Sequence, residues 1–291
     1  MDPTPMNSAT ALLLDHLASL KARGRTHVSL NPSVLLRFSE RLNPAGSSRG
    51  NAEAAPKSGP QVSSVPQVKA PVAARADAPA LIELAAGEVE SQLQQLHAIL
   101  QEGLARLPSS VPRVAFSGLG PARADLLVLT DRPLAQEASL EAVAASEEGL
   151  KVVRIFQAMG LDLARVRLSA LGRDLGLRGS NAVLSPEEVE FFTPHARTEI
   201  DLVRPRALLI MGRQCASALG LGAALATMRG RAHEVMGVPT VVTYSPAYLV
   251  RQEQAADGGL KVKRECWEDM LRIMEMLGLP ISEKQRGFFR R

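Results

Sequence analysis

The run Ala124-Asp125-Leu126-Leu127-Val128-Leu129-Thr130 constrains this chain most. Successive side chains of a strand point to opposite sheet faces, so a nearly unbroken apolar run needs cover on both faces. That is the signature of a parallel strand between helical layers. Three later runs share it: Val166 to Leu171, Pro205 to Met211, and Val238 with Thr240, Val241 and Val242. Helical patterns separate them. Glu147 to Met159 places Val152, Val153, Ile155, Phe156 and Met159 inward and stops at Gly160. Ser185-Pro186-Glu187-Glu188 combines a cap, a proline at the first helical position and early acids, and starts a helix to about Val203. A short helix follows Gly212-Arg213-Gln214, and the last runs from Lys263 to Leu277. This alternation predicts an α/β fold, a three-layer α/β/α arrangement around a mostly parallel four-stranded sheet. Ahead of it, Ala80 to Leu107 reads as one long helix and Val114-Ala115-Phe116 as a short strand, while the polar residues 228–236 are left outside the sheet.

The rest of the chain divides by composition. Residues 8–23, apolar at Leu12, Leu13, Leu17 and Leu20, and Ser33 to Leu42 read as a small helical hairpin spanning residues 1–42. Residues 43–79 are rich in Pro, Ala, Ser and Gly and lack aromatics, so little burial offsets their ordering entropy; they read as a flexible, disordered linker. The main domain is expected over 80–278, with a basic tail at 279–291.

An apolar fraction of 46% supplies a core, and with aromatics at only 3% it must be built from Leu, Val, Ala and Ile. The net charge of +4 is compatible with a nucleic-acid partner and does not by itself require one. Cys215 and Cys266 are far apart, no CxxC occurs, and His16, His97, His195 and His233 lack metal-ligand spacing. The cysteines read as reduced buried thiols and the histidines as surface or capping residues. No GxGxxG or GxxxxGK[ST] is present, so no nucleotide cofactor or metal is expected. No apolar run has membrane-spanning length, and Leu12 to Leu14 is too short for a signal-peptide core. The expectation is a soluble cytoplasmic protein without a membrane partner, nucleoid-associated if it binds DNA.

The ordered segments R-P-R-A-L-L-I-M-G-R-Q-C-A, M-R-G-R, V-P-T-V-V-T-Y-S-P-A-Y-L-V-R and a closing W-E-D-M helix resemble the uracil-DNA glycosylase superfamily, and its family-4 type most. The resemblance covers roughly residues 80–278. It implies the superfamily's α/β/α fold, DNA as partner, and, if the chain is active, a DNA N-glycosylase hydrolysing the bond to uracil or another modified base. The departures are as informative. The family's GEAPG loop corresponds to Thr130-Asp131-Arg132-Pro133-Leu134, where an acid and the proline remain. Its base-reading asparagine falls near Ser169 or Ala170, its HPA histidine corresponds to Ser245, and its four cluster cysteines are absent.

These correspondences assign Asp131 and Ser245 as the candidate catalytic pair and Thr130, Pro133, Ser169 and Ala170 as the base pocket. Asp131 either positions the attacking water or is a turn residue capping the strand. Ser245 either donates one hydrogen bond to the leaving base or forms a simple turn before Pro246. Arg173, Arg178, Arg229, Arg231, Arg251 and Lys263 fall in or near loops after strands and are expected to form a phosphate-binding rim, with Tyr248 and Leu249 as wedges into a base stack. Two functions follow: a DNA-repair protein with lost or strongly altered uracil excision, or a non-catalytic scaffold or protein-interaction module in a replication or repair assembly, with residues 1–42 as the arm that docks a protein partner.

Overall fold

The computed structural model describes residues 80–107, 113–176, 183–255 and 257–289. The helical hairpin and linker expected over 1–79, and Arg178, lie outside the described residues. The elements in chain order are α1 (Val89–Leu104), β1 (Leu126–Thr130), α2 (Leu140–Ala145), α3 (Glu147–Met159), a 3-10 turn (Leu163–Arg165), β2 (Val166–Ala170), α4 (Pro186–Val203), β3 (Ala207–Met211), α5 (Arg213–Ala218), α6 (Leu225–Met228), β4 (Ala232–Val235), β5 (Val238–Thr243), α7 (Pro246–Glu253), α8 (Leu260–Leu277) and α9 (Glu283–Arg286).

The sheet has five strands in the order β2-β1-β3-β5-β4, one more than the four expected. β1, β2, β3 and β5 are parallel, and β4 joins β5 antiparallel. Every residue of β1, β2 and β3 is buried, as their apolar runs require. The extra strand, Ala232-His233-Glu234-Val235, is an edge strand with its first three residues at least partly exposed, so it carries no apolar run to announce it. Its turn is equally inconspicuous. Met236 and Gly237 both have positive φ, 52° and 79°, as a two-residue type I′ hairpin demands, but methionine stands where asparagine usually gives the signal.

Helices cover both faces. On one, Leu126, Val128, Leu209, Met211 and Val241 pack against Val152 and Phe156 of α3 and Met270, Ile273 and Met274 of α8. On the other, Leu127, Leu129, Leu208, Ile210 and Val242 pack against Leu100 and Leu104 of α1, Phe192, Ala196 and Ile200 of α4, and Cys215 of α5. The helix ends obey the sequence signals. Ser146 caps α3 through Gly149 N, and Gly160 ends it at φ 72°. Ser185 and Glu188 form a reciprocal capping box on α4 with Pro186 in its first turn.

Three expected boundaries shift. The first helix begins only at Val89; residues 81–86 lack helical structure, with the Ile82 amide tied to Thr198 Oγ1 at 2.9 Å. Val114-Ala115-Phe116 forms no strand, only an isolated bridge between Ala115 and Asp174. The expected basic tail is partly structured: Ser282 caps α9, and Leu279, Ile281 and Phe289 pack on the core.

Candidate functional site: the cleft at the strand ends

The chain leaves β1 for β2 on one side, then crosses back to β3 on the other. The loops after β1 and β3 therefore part, and a crevice opens at their carboxyl ends, the usual ligand position in an open α/β sheet. A cleft of about 240 Å³ lies there. Thr130, Asp131 and Arg132 enter it from the end of β1, Arg213 and Gln214 from the start of α5, and Ser245, Pro246 and Ala247 from the end of β5. Glu148 from α3 and Arg251 from α7 complete the polar lining.

Asp131 is the best-fixed of these groups. Its Oδ1 accepts the Cys215 amide at 2.8 Å, and its carbonyl accepts the Gly172 amide at 3.0 Å. Gly212 makes the approach possible: at φ 151°, a Cβ there would come within 2.3 Å of Asp131 Oδ1. Burial raises the Asp131 pKa above its ordinary value, against the Cys215 amide and the Arg213 charge, which pull it down. The carboxylate thus both ties β1 to α5 and presents an acid to the cleft.

Ser245 is the N-cap of α7. Its Oγ accepts the Tyr248 amide at 3.3 Å, and Pro246 takes the first helical position. The lone-pair side of the hydroxyl serves the helix, which leaves one O–H to donate into the cleft. Thr130 turns inward instead: its Oγ1 lies 2.5 Å from Arg132 O and 3.2 Å from Ser169 O, so its proton is already used. Gln214 clamps the segment before α4, with Nε2 donating to Leu184 O and Oε1 accepting from Leu184 N, each at 3.0 Å.

Several sequence expectations need correction. Pro133, Ser169 and Ala170 are not among the residues lining the cleft; Ser169 and Ala170 are buried within β2. Arg173 is no rim cation. It is 2% exposed and ion-paired through Nη2 to Glu199 Oε2, while Arg167 Nε reaches Glu199 Oε1 at 2.6 Å. Burial alone would raise the Glu199 pKa, but the Arg173 and Arg167 charges outweigh it and hold the carboxyl below its usual range. Arg229 is also drawn in: it pairs with Asp269 at 2.7 Å and with Glu265 at 3.3 Å, and its guanidinium sits 4.1 Å from the Tyr244 ring centre. Lys263 pairs with Glu253 at 2.8 Å. Leu249 is buried in the core and Tyr248 stacks on Tyr244 at 5.0 Å, so neither is a free wedge. Arg231 and Arg251 are exposed, and Arg251 stands on the cleft. His195 is buried, with burial pushing its pKa down to about 4 and Arg173 adding to the shift.

The sequence reading missed Arg132, Glu148, Arg213 and Gln214 as cleft residues. Arg213 had a visible signal, since it directly follows the glycine that ends a buried strand. Glu148 had none, because its α3 position is brought to the cleft only by packing. Cys215 and Cys266 are free and belong to the cores on opposite sheet faces, so they cannot share a cluster. Among the described residues no group of His, Cys, Asp and Glu is arranged to hold a metal ion, and no helix is long and apolar enough to cross a membrane.

Comparison with known proteins agrees with the fold. The model of the Uracil DNA glycosylase superfamily matches residues 108–271. No curated protein matches the chain.

Proposed function

We propose that this chain, which belongs to the uracil-DNA glycosylase superfamily, binds DNA over the cleft between β1 and β3 and has lost, or strongly altered, uracil excision. The observation that carries this reading is the pairing of a buried acid with a weak donor. Asp131 sits where a carboxylate can hold a water, but Ser245, the residue available to meet a leaving base, is a helix cap with a single proton to offer.

Excision needs an extruded base, a positioned water, and stabilisation of the charge that develops on the departing base. Asp131 fits the second role when ionised, and its raised pKa makes it a stronger base than an exposed aspartate. The third role is thinly filled. Losing one donor at a developing anion costs on the order of a hundredfold to a thousandfold in rate. The cleft cations Arg213 and Arg251 suit phosphate contacts beside an extruded nucleotide.

The second reading, a non-catalytic scaffold in a replication or repair assembly, gains from the inward pairing of Arg173 and Arg229, which removes two cations from the surface. Fluorescence anisotropy with labelled single- and double-stranded DNA separates the two. DNA binding predicts an affinity that falls with salt and weakens in Arg213→Glu/Arg251→Glu, with the salt slope reduced by about 0.7–0.9 for each phosphate no longer neutralised. Binding that is absent at low salt leaves only the scaffold.

A further inference from the structure

A second concavity lies across α3 and α7 from the cleft. It encloses about 290 Å³, and its floor is formed by Trp267 and Met270 of α8 with Ile155 of α3 and Leu249 of α7. Phe288 forms one wall and is 55% exposed. It lies 5.5 Å from Trp267 and 5.1 Å from Phe289, centre to centre.

Charge is one-sided around this apolar floor. Lys151, Arg154 and Lys263 stand on the rim against a single acid, Glu253, which Lys151 and Lys263 share. Arg154 is exposed. An apolar trough with a cationic edge complements a peptide that sets large apolar side chains beside carboxylates. The volume suits a few anchoring side chains, the usual scale of a binding hot spot. The chain's own residues 8–23 match poorly, since they carry one acid, Asp15, against Lys21 and Arg23.

We infer that this groove is a docking site for an acidic–apolar segment of a partner protein. Its walls belong to the helices that also form the cleft. α7 turns Ser245 to Ala247 and Arg251 to the cleft and Leu249 and Glu253 to the groove, while α3 turns Glu148 to one and Ile155 to the other. A docked partner therefore sits directly behind the cleft residues. The site does not depend on the DNA reading.

Display of random peptides on the full chain, with counter-selection on Arg154→Glu/Phe288→Ser, tests this. Arg154 and Phe288 are both exposed, but Phe288 also touches the Trp267 and Phe289 rings, so circular dichroism and a melting curve first establish that the double variant is folded at the assay temperature. The expected result is enrichment of peptides joining Phe, Leu or Ile to Asp and Glu. Synthetic copies should change Trp267 fluorescence and bind the double variant at least about tenfold more weakly. Enriched peptides that are neutral or basic, capture unaffected by the double variant, or no enrichment at all would each overturn the proposal. So would concentration-dependent dimerisation in sedimentation that Phe288→Ser abolishes, since a second copy would then be the occupant.

Discussion

Replacing Glu199 with Gln should destabilise the domain severely, although no proposed DNA contact is touched. Glu199 is fully buried, with one oxygen on Arg167 and the other on Arg173, which are themselves 5% and 2% exposed. Removing the carboxylate charge leaves two guanidinium groups uncompensated in the interior. Breaking a buried pair in this way costs about 3–5 kcal/mol, and the amide retains one acceptor, so the low end applies. That is a large share of the roughly 5–15 kcal/mol that holds a domain folded. Trp267 is the only tryptophan and is buried, so urea unfolding can be followed by its fluorescence. With a slope of about 2 kcal/mol per molar urea, the midpoint should fall by about 1.5 M or more. The pH dependence has a definite sign. The folded pKa of Glu199 is depressed, so its stabilisation is present above the ordinary carboxylate range and lost as pH falls through the folded value. The gap between wild type and Glu199→Gln should therefore close in acid. A loss under about 1 kcal/mol at neutral pH, or a gap that stays constant into acid, would mean that the carboxylate charge is not what holds the two arginines.

Asp131→Asn should raise the melting temperature at neutral pH, because the folded pKa of Asp131 is raised and its ionised form is disfavoured by burial; the gain should vanish below the ordinary aspartate range, where both states are protonated. Gly212→Ala should lower stability and displace Asp131, since its Cβ would collide with the carboxylate; thermal melts and the chemical shift of the Cys215 amide, which donates to Asp131, report the two effects. Ser245→Ala should cost about 1 kcal/mol through loss of the α7 cap, read from urea midpoints.

β1, β2 and β3 were legible because every residue in them is buried and their apolar runs cannot be placed otherwise. β4 was not, since it is a solvent-exposed edge that needs no apolar run, and its turn has Met236 where an asparagine before Gly237 would have signalled a hairpin. The cleft was half legible. Asp131 and Ser245 follow strand ends directly, and both line the cleft; the bond from the Cys215 amide to Asp131, which reaches across to α5, is a contact no sequence signal announces. Arg173 and Arg229 misled because their partners, Glu199 and Asp269, lie 26 and 40 positions away. A trace of those pairs was nonetheless present. Glu199 falls on the inward stripe of α4 between Ala196 and Val203, and Asp269 between Cys266 and Met270 on α8, and a charge on an inward stripe needs a buried counter-charge.

Whether the cleft binds DNA without efficient excision is decided by single-turnover release of uracil from single- and double-stranded DNA, mixed with excess protein under low-salt conditions that favour binding. The DNA should be bound but stay intact, or lose its base only slowly. Rapid release that Asp131→Ala abolishes would contradict this, since the cleft would then support full chemistry with Ser245 in place.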